Sequence, residues 1–132
     1  MQPDELAIRE VLDAWARATR EGRHDEVLAN HLGESVIFDV LPPLRYDTAA
    51  AYRKSWDDWQ PDVQGEMRFE LEDLSITAGD DVGFAFGLLQ CGGTLPGGKT
   101  FSDTVRITFC LRKLDGRWKV AHQHVSKPVG QG

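Results

Sequence analysis

Cysteine is scarce in this 132-residue chain, with Cys91 and Cys110 the only two. Two thiols, each in an apolar strand-like run, supply neither a disulfide scaffold nor a zinc site; a free cysteine there acts as a small hydrophobe. Positive charge is also in deficit, 15 Lys and Arg against 21 Asp and Glu for a net charge of −6. Nucleic-acid binding draws its affinity from a basic surplus, so a nucleic-acid partner is excluded. The one basic cluster, Arg112, Lys113, Arg117 and Lys119, flanks a turn at Asp115-Gly116 and reads as a solvated hairpin end. Long apolar runs are missing too. None approaches the roughly 20 residues of a membrane span. Met1 leads into polar residues rather than a signal peptide, so the expectation is a cytoplasmic protein with no membrane partner. Repeats, linkers and low-complexity segments are lacking. One domain over residues 1–132 fits this length, and it can bury enough surface to fold without disulfide or metal.

The N-terminal third reads as helical. Ile8, Val11, Leu12, Trp15 and Ala18 line one face of a helix over 4–21, with Pro3, Asp4 and Glu5 suited to its start and Gly22 to its end. A second short helix is expected over 24–31, closed by Gly33. Ser35 to Phe38 reads as a brief strand before the extended Pro42-Pro43 loop. Asp47 can cap a third helix over 48–60, ended by Pro61, with Tyr52, Trp56 and Trp59 on one face.

From Gly65 the period changes to two. Met67, Phe69 and Leu71 alternate with Glu66, Arg68, Glu70 and Glu72. The alternation slips at Asp73, with Leu74 and Ile76 in a new phase, which predicts a β-bulge near Glu72-Asp73. Gly79-Asp80-Asp81 turns the chain into a strand over 82–91 carrying Phe84, Phe86 and Leu88. Gly92-Gly93 and Pro96-Gly97-Gly98 mark a wider turn. A strand over 100–113, a tight Asp115-Gly116 hairpin and a last strand from Arg117 to Ser126 complete the chain. Helices followed by a meander of long strands indicate an α+β fold. Long bent strands around a helix leave a hollow lined by Trp and Phe. The last three strands carry apolar residues on both faces, and the helices cover only one, so a homodimer through the sheet is expected.

The order and spacing carry a family likeness. The stretch Arg106 to Phe109, then Asp115 through Trp118 to Ser126, together with Ile37-Phe38-Asp39 before Pro42-Pro43 and Ala49-Ala50-Ala51-Tyr52-Arg53, resembles the SnoaL-like and ketosteroid-isomerase-like group of the nuclear-transport-factor-2 superfamily. The ending is also similar to the association domain of calcium/calmodulin-dependent kinases. The resemblance covers nearly the whole chain. It implies a cone-shaped, cystatin-like roll: three N-terminal helices on a strongly bent, mainly antiparallel sheet.

The resemblance also implies a site. The proton-moving aspartate of the isomerases falls on Asp39, where burial at the mouth of an apolar cavity would make a general base; a capping role for Asp39 stands beside that reading. The oxyanion-hole tyrosine falls on Trp15, a donor without an acidic hydroxyl, and the protonated acid of that hole is matched to Asp103. Tyr52 is either a pocket residue or core. Trp15, Tyr52, Trp56, Phe86 and Leu88 are expected as walls, with Gln123 and Val125 facing the cavity. Trp118, Val120, His122 and His124 are expected on the opposite face, where an interface or local hydrogen bonding stands for His122 and His124 ahead of a catalytic role or a metal. The implied function is a pocket for a small apolar organic ligand with one carbonyl, acted on by an isomerase or cyclase that needs no cofactor. The alternative is a non-catalytic ligand-binding or association domain.

Overall fold

One-sided burial of the first helix organises everything that follows. In the computed structural model, which describes residues 2–59, 64–95 and 97–129, α1 spans Pro3–Arg20. Ile8, Leu12, Trp15, Ala16 and Ala18 are buried along it. Its C-terminus stops where expected, with Gly22 at a left-handed φ of 71°. Asp4, expected only to complement the positive end of the helix, is claimed by tertiary partners. It accepts hydrogen bonds from Lys113 Nζ at 2.9 Å and Trp118 Nε1 at 3.0 Å. These contacts hold its carboxyl below the usual range, Lys113 having the larger effect.

The remaining elements are α2 (His24–Val27), β1 (His31–Phe38), α3 (Ala49–Trp59), β2 (Gln64–Ala78), β3 (Val82–Thr94), β4 (Thr100–Leu114) and β5 (Arg117–Ser126). The strands form one sheet in the order β1-β5-β4-β3-β2, antiparallel throughout except for the parallel β1–β5 pair. Helix α1 packs against β2 and β5, α2 against α1, and α3 against β1. This is the expected α+β class, with a mainly antiparallel sheet. No described helix is long and apolar enough to cross a membrane.

Three boundaries differ from expectation. Helix α2 is half the expected length, because residue 31 already belongs to β1. There the Val120 amide donates to the Asn30 carbonyl, and Ser35 Oγ lies 2.6 and 2.7 Å from the Leu32 and Val120 carbonyls, which share its one proton. Parallel pairing with a distant strand thus overrides a local helical pattern. Gly92 and Gly93 lie inside β3 rather than in a turn, paired with Ser102 and Phe101. The cap of α3 is Thr48, whose Oγ1 accepts from the Ala51 amide at 3.1 Å, while Asp47 is held by Arg45 at 2.7 Å.

The predicted bulge is present. Pairing of β2 with β3 skips between Glu72 and Ser75, and Asp73 has a φ of 54°. Opposite it stands Gly87, where a Cβ would lie 2.7 Å from the Glu72 carbonyl and 3.1 Å from Leu74 Cα. The bulged backbone occupies the space a side chain would need. A second bulge, not anticipated, falls in β5. Leu111 pairs with Val120 and Cys110 with His122, so Ala121 is the extra residue. It shifts the alternation, and Trp118 and Val120 join Gln123 and Val125 as buried residues rather than lying opposite them.

Both edges of the sheet are engaged. On β1, Ile37 and Tyr46 exchange two backbone hydrogen bonds of 2.9 Å, and on β2 Arg20 Nη1 donates to the Phe69 carbonyl at 2.9 Å.

Gly87→Ala is expected to lower unfolding free energy by about 1–3 kcal/mol, because the methyl meets backbone that cannot yield without shifting the bulge. Gly33→Ala is the control, since nothing lies within 4 Å of an added Cβ there. Urea unfolding of the two variants checks the difference.

Candidate functional site

The strand register gives the floor beneath α1 as successive rows of side chains. Ile37, Gln123, Phe109 and Ala85 lie side by side, followed by Val125 and Ile107 with Gly87, then Val105 and Leu89, then Asp103, Cys91 and Phe69. Trp15 spans these rows from above, its ring centroid 5.2 Å from both Phe69 and Phe109. The bare backbone of Gly87 lies among the rows between those two rings. The floor is apolar, and polar groups enter it at few points.

Asp39 follows the last residue of β1, on the same alternation as buried Ser35 and Ile37. It is half-buried, and that burial pushes its carboxyl above the ordinary value. Hydrogen bonds from the Val40 amide, at 2.7 Å, and from Tyr52 act in the opposite direction. Tyr52 is itself buried, its ring 5.2 Å from that of Tyr46. The two arginines that could quench Asp39 are engaged elsewhere, Arg45 with Asp47 and Arg53 with Asp25. Among the described residues no ion pair reaches Asp39.

Asp103 differs from expectation. It sits on the floor beside Cys91, but its carboxylate is ion-paired with Lys127 Nζ at 2.7 Å. A carboxylate held this way accepts hydrogen bonds, whereas the oxyanion-hole acid it was matched to must donate one. Cys91 senses both acids: burial first, then Asp103 and Asp39, push its thiol up to about 11.

Gln123 is buried on the floor, with a partner that the sequence did not announce. His31 Nε2 lies 2.9 Å from Gln123 Oε1, and since that oxygen can only accept, the His31 nitrogen donates. Burial lowers the His31 pKa to about 4, so the ring is neutral at ordinary pH. Trp15 is 4% exposed, yet its Nε1 has no hydrogen-bond partner. A buried donor left unpaired costs about 1–3 kcal/mol.

Two expected walls are on the wrong side. Phe86 and Leu88 alternate with the buried Ala85 and Leu89, so they face away from α1, and Phe86 is 50% exposed, its ring stacked with Phe84. The slip at the bulge re-phases β2, but β3 keeps one alternation, which places its aromatics outside. Cys110 also lies on that outer face and is exposed rather than in an apolar interior. Trp56 and Trp59 belong to α3, but their side chains lie outside the described residues. His122 and His124 occupy the outer face as expected, flanking Phe38 at ring distances of 4.8 and 5.3 Å, and His122 Nδ1 lies 2.6 Å from the Val36 carbonyl. No cluster of three metal-ligating side chains occurs among the described residues.

Near the end of β5 the surface opens. A groove of about 530 Å³ is lined by Asp39, Val40, Leu41, His124, Val125 and Lys127. A second, of about 460 Å³, takes in Leu88, Asp103, Arg106 and Lys127. Asp39 is thus reachable from outside. Lys127, which the strand pattern did not single out, lines both grooves while holding Asp103.

Comparison with known proteins agrees with this architecture. The family described as SnoaL-like domain matches residues 8–130. An NTF2-like protein of unknown function from Pseudomonas putida is 28% identical with a TM-score of 0.84, the match covering 95% of this chain and 87% of that one. A ketosteroid isomerase-like protein from Erwinia carotovora atroseptica is 17% identical at a TM-score of 0.79, covering 97% and 100%. A protein with a cystatin-like fold from Nostoc punctiforme is 12% identical at a TM-score of 0.80, covering 98% and 95%. No curated protein matches the chain.

The His31–Gln123 pair makes a pH prediction. The folded-state pKa of about 4 lies below the ordinary 6.5, so the unfolded chain binds a proton more readily. Stability from neutral His31 is fully present above about pH 6.5 and is lost as pH falls towards 4, by up to about 3 kcal/mol. Unfolding free energies from denaturant titrations are expected to fall more steeply with pH across that window for the wild type than for His31→Gln, which removes the titrating group.

Proposed function

The chain belongs to the SnoaL-like domain family, and from that premise we propose that it binds a small apolar carbonyl compound and acts on it as a cofactor-free isomerase or cyclase with Asp39 as general base. One observation carries the reading: Asp39 is a half-buried carboxylate whose proton affinity is raised by burial and which no described cation neutralises. Basicity raised by desolvation brings a carboxylate closer to the pH at which it can both take and return a proton.

The step is a proton transfer. Asp39 removes a proton from the carbon next to the substrate carbonyl, and the electron pair moves into the carbonyl to give an enolate. Returning the proton to a different carbon isomerises the substrate; attack of the enolate carbon on a second carbonyl closes a ring. Tyr52 supports the step by donating to Asp39, which fixes the carboxylate's orientation. Val125, Ile107, Val105 and Leu89 supply apolar floor, and Trp15 and Gln123 its polar points. The ion-paired Asp103 leaves no acidic donor of the kind used in steroid isomerases, so the reading stops at proton transfer on a less demanding carbonyl compound.

A second reading, an association domain, is favoured by the outer face. Val82, Phe84 and Phe86 are 58%, 44% and 50% exposed along one strand. Contiguous apolar surface of this kind is uncommon in monomers. Under either reading a homodimer through this face is proposed. Sedimentation at micromolar concentration is expected to give a dimer, and Phe84→Glu with Phe86→Glu a monomer. A wild-type monomer at that concentration removes the proposal.

Asp39→Asn keeps the shape of the carboxylate and removes the proton acceptor. With a substrate found by screening enolisable ketones and polycyclic compounds, turnover is expected to fall by roughly 10²–10⁴-fold with ligand affinity largely kept. Unchanged turnover would remove Asp39 as the base, and a screen that finds no turnover at all would move the weight to the association reading.

A further inference from the structure

We propose that Asp103 is a positioning residue for the Asp39 base: by holding the Lys127 ammonium, it keeps that cation off Asp39. This rests on the reading of Asp39 as the general base. The geometry puts one lysine between two carboxylates. Phe38 pairs with His124 and Arg106 with Ser126, so one residue further on Asp39 stands level with Val125, and Val105 with Lys127. By alternation Asp39, Asp103 and Lys127 share the face that carries Gln123 and Val125. Lys127 is therefore diagonal to both acids, two residues along and one strand across. Diagonal neighbours of this kind lie about 7–8 Å apart, within reach of a long side chain. Lys127 lines the groove of Asp39 and also that of Asp103. Of the two acids it takes Asp103, with Nζ 2.7 Å from the carboxylate.

What else each acid binds explains the partition. Asp39 accepts from the Val40 amide at 2.7 Å and from Tyr52, both neutral donors. Asp103 has no donor but Lys127 among the described residues. The other groups around Asp39 are engaged. Arg45 is held by Asp47 and Arg53 by Asp25, and the Tyr46 ring packs on that of Tyr52. His124 lines the groove but sets its ring against Phe38, and burial keeps Cys91 an uncharged thiol. Lys127 is thus the lysine or arginine that lines the groove of Asp39. Its pairing is not locked in, because the Lys127 and Asp103 side chains are 31% and 40% exposed and a pair so placed is weak. Deprived of Asp103, the flexible lysine stem would turn to the next carboxylate. An ammonium there favours the charged form of Asp39 and opposes the desolvation that makes it a base.

The test needs no substrate. The side-chain carboxyl ¹³C resonance of Asp39, assigned by its loss in Asp39→Asn, is followed through a pH titration at low ionic strength. Asp103→Asn is expected to lower the Asp39 midpoint by about one unit or more. Loss of the Asp103 charge itself acts in the same direction, so a second variant decides. Asp103→Asn combined with Lys127→Met is expected to return the midpoint to near its wild-type value. Asp103→Glu, which keeps a carboxylate for Lys127, is expected to leave it in place. Near-ultraviolet circular dichroism checks the fold, and Asp103→Ser replaces Asp103→Asn if the latter does not fold. An unmoved midpoint in Asp103→Asn, or one that stays low once Lys127 is also removed, overturns the inference. The outcome separates from the fate of the base. With midpoints as expected, full turnover in Asp39→Asn removes the base and keeps the partition of charge. Lost turnover in Asp39→Asn with an unmoved midpoint in Asp103→Asn does the reverse.

Discussion

The fold depends on a close approach between two backbones, where the bulged segment Asp73-Leu74 of β2 lies against the bare Cα of Gly87. A bulge adds local twist and bend to the strand that carries it. The second bulge, at Ala121, adds another on the far side of the sheet. Helix α1 lies on the face so formed and buries Ile8, Leu12 and Trp15 against it. Its packing provides the apolar driving force, at about 25 cal/mol for each Å² removed from water. The bulges decide where that force leaves side chains and where it leaves space. A side chain at residue 87 would compete for the same volume as the Glu72 carbonyl.

Polar groups inside this region fall into two kinds. Ser35, Thr19 and the His31–Gln123 pair are satisfied within the protein and hold β1 to β5 and α1 to itself. Trp15 and Asp39 are not closed in the same way, one lacking any partner and the other half-buried without a counter-charge. Natural interiors pair nearly all buried polar atoms. Trp15 Nε1 on α1 departs from that rule, whereas Asp39, just after β1, is hydrogen-bonded and lacks only a counter-charge. Asp103 illustrates the opposite outcome: by taking Lys127 it has become part of the structural scaffold near the end of β5.

Much of this was legible in the sequence because strand and helix periods are local. The one-sided helix, the long alternating strands and the slip at Asp73 all follow from spacing alone. What failed was non-local. Phe86 and Leu88 read as interior because the strand alternates, but alternation does not say which half faces the helix, and the outward half here is the aromatic one. Trp118 and Val120 were placed outside because a bulge at Ala121 leaves no mark in a run of ordinary strand residues. The ends of β1 and α2 depended on β5, ninety residues away. Asp39 was legible through a family likeness, whereas the neutrality of His31 and the capture of Asp103 by Lys127 required knowing which chains meet. His31 in particular sits in a segment whose local pattern is helical, and only its distant partner Gln123 explains it.

The guanidinium of Arg20, donating to the Phe69 carbonyl, has a role outside the site. Strand β2 runs for 15 residues along the open margin of the sheet, and such a margin is a template on which another extended chain can add itself. By occupying an outward carbonyl in mid-strand, Arg20 interrupts the row of free acceptors that a growing fibril would need, and it places a positive charge where an incoming backbone would have to be dehydrated. The Tyr46 segment does the same for β1 at the other margin. One side chain of the helix packed on the sheet thus blunts the open margin of β2 against extension.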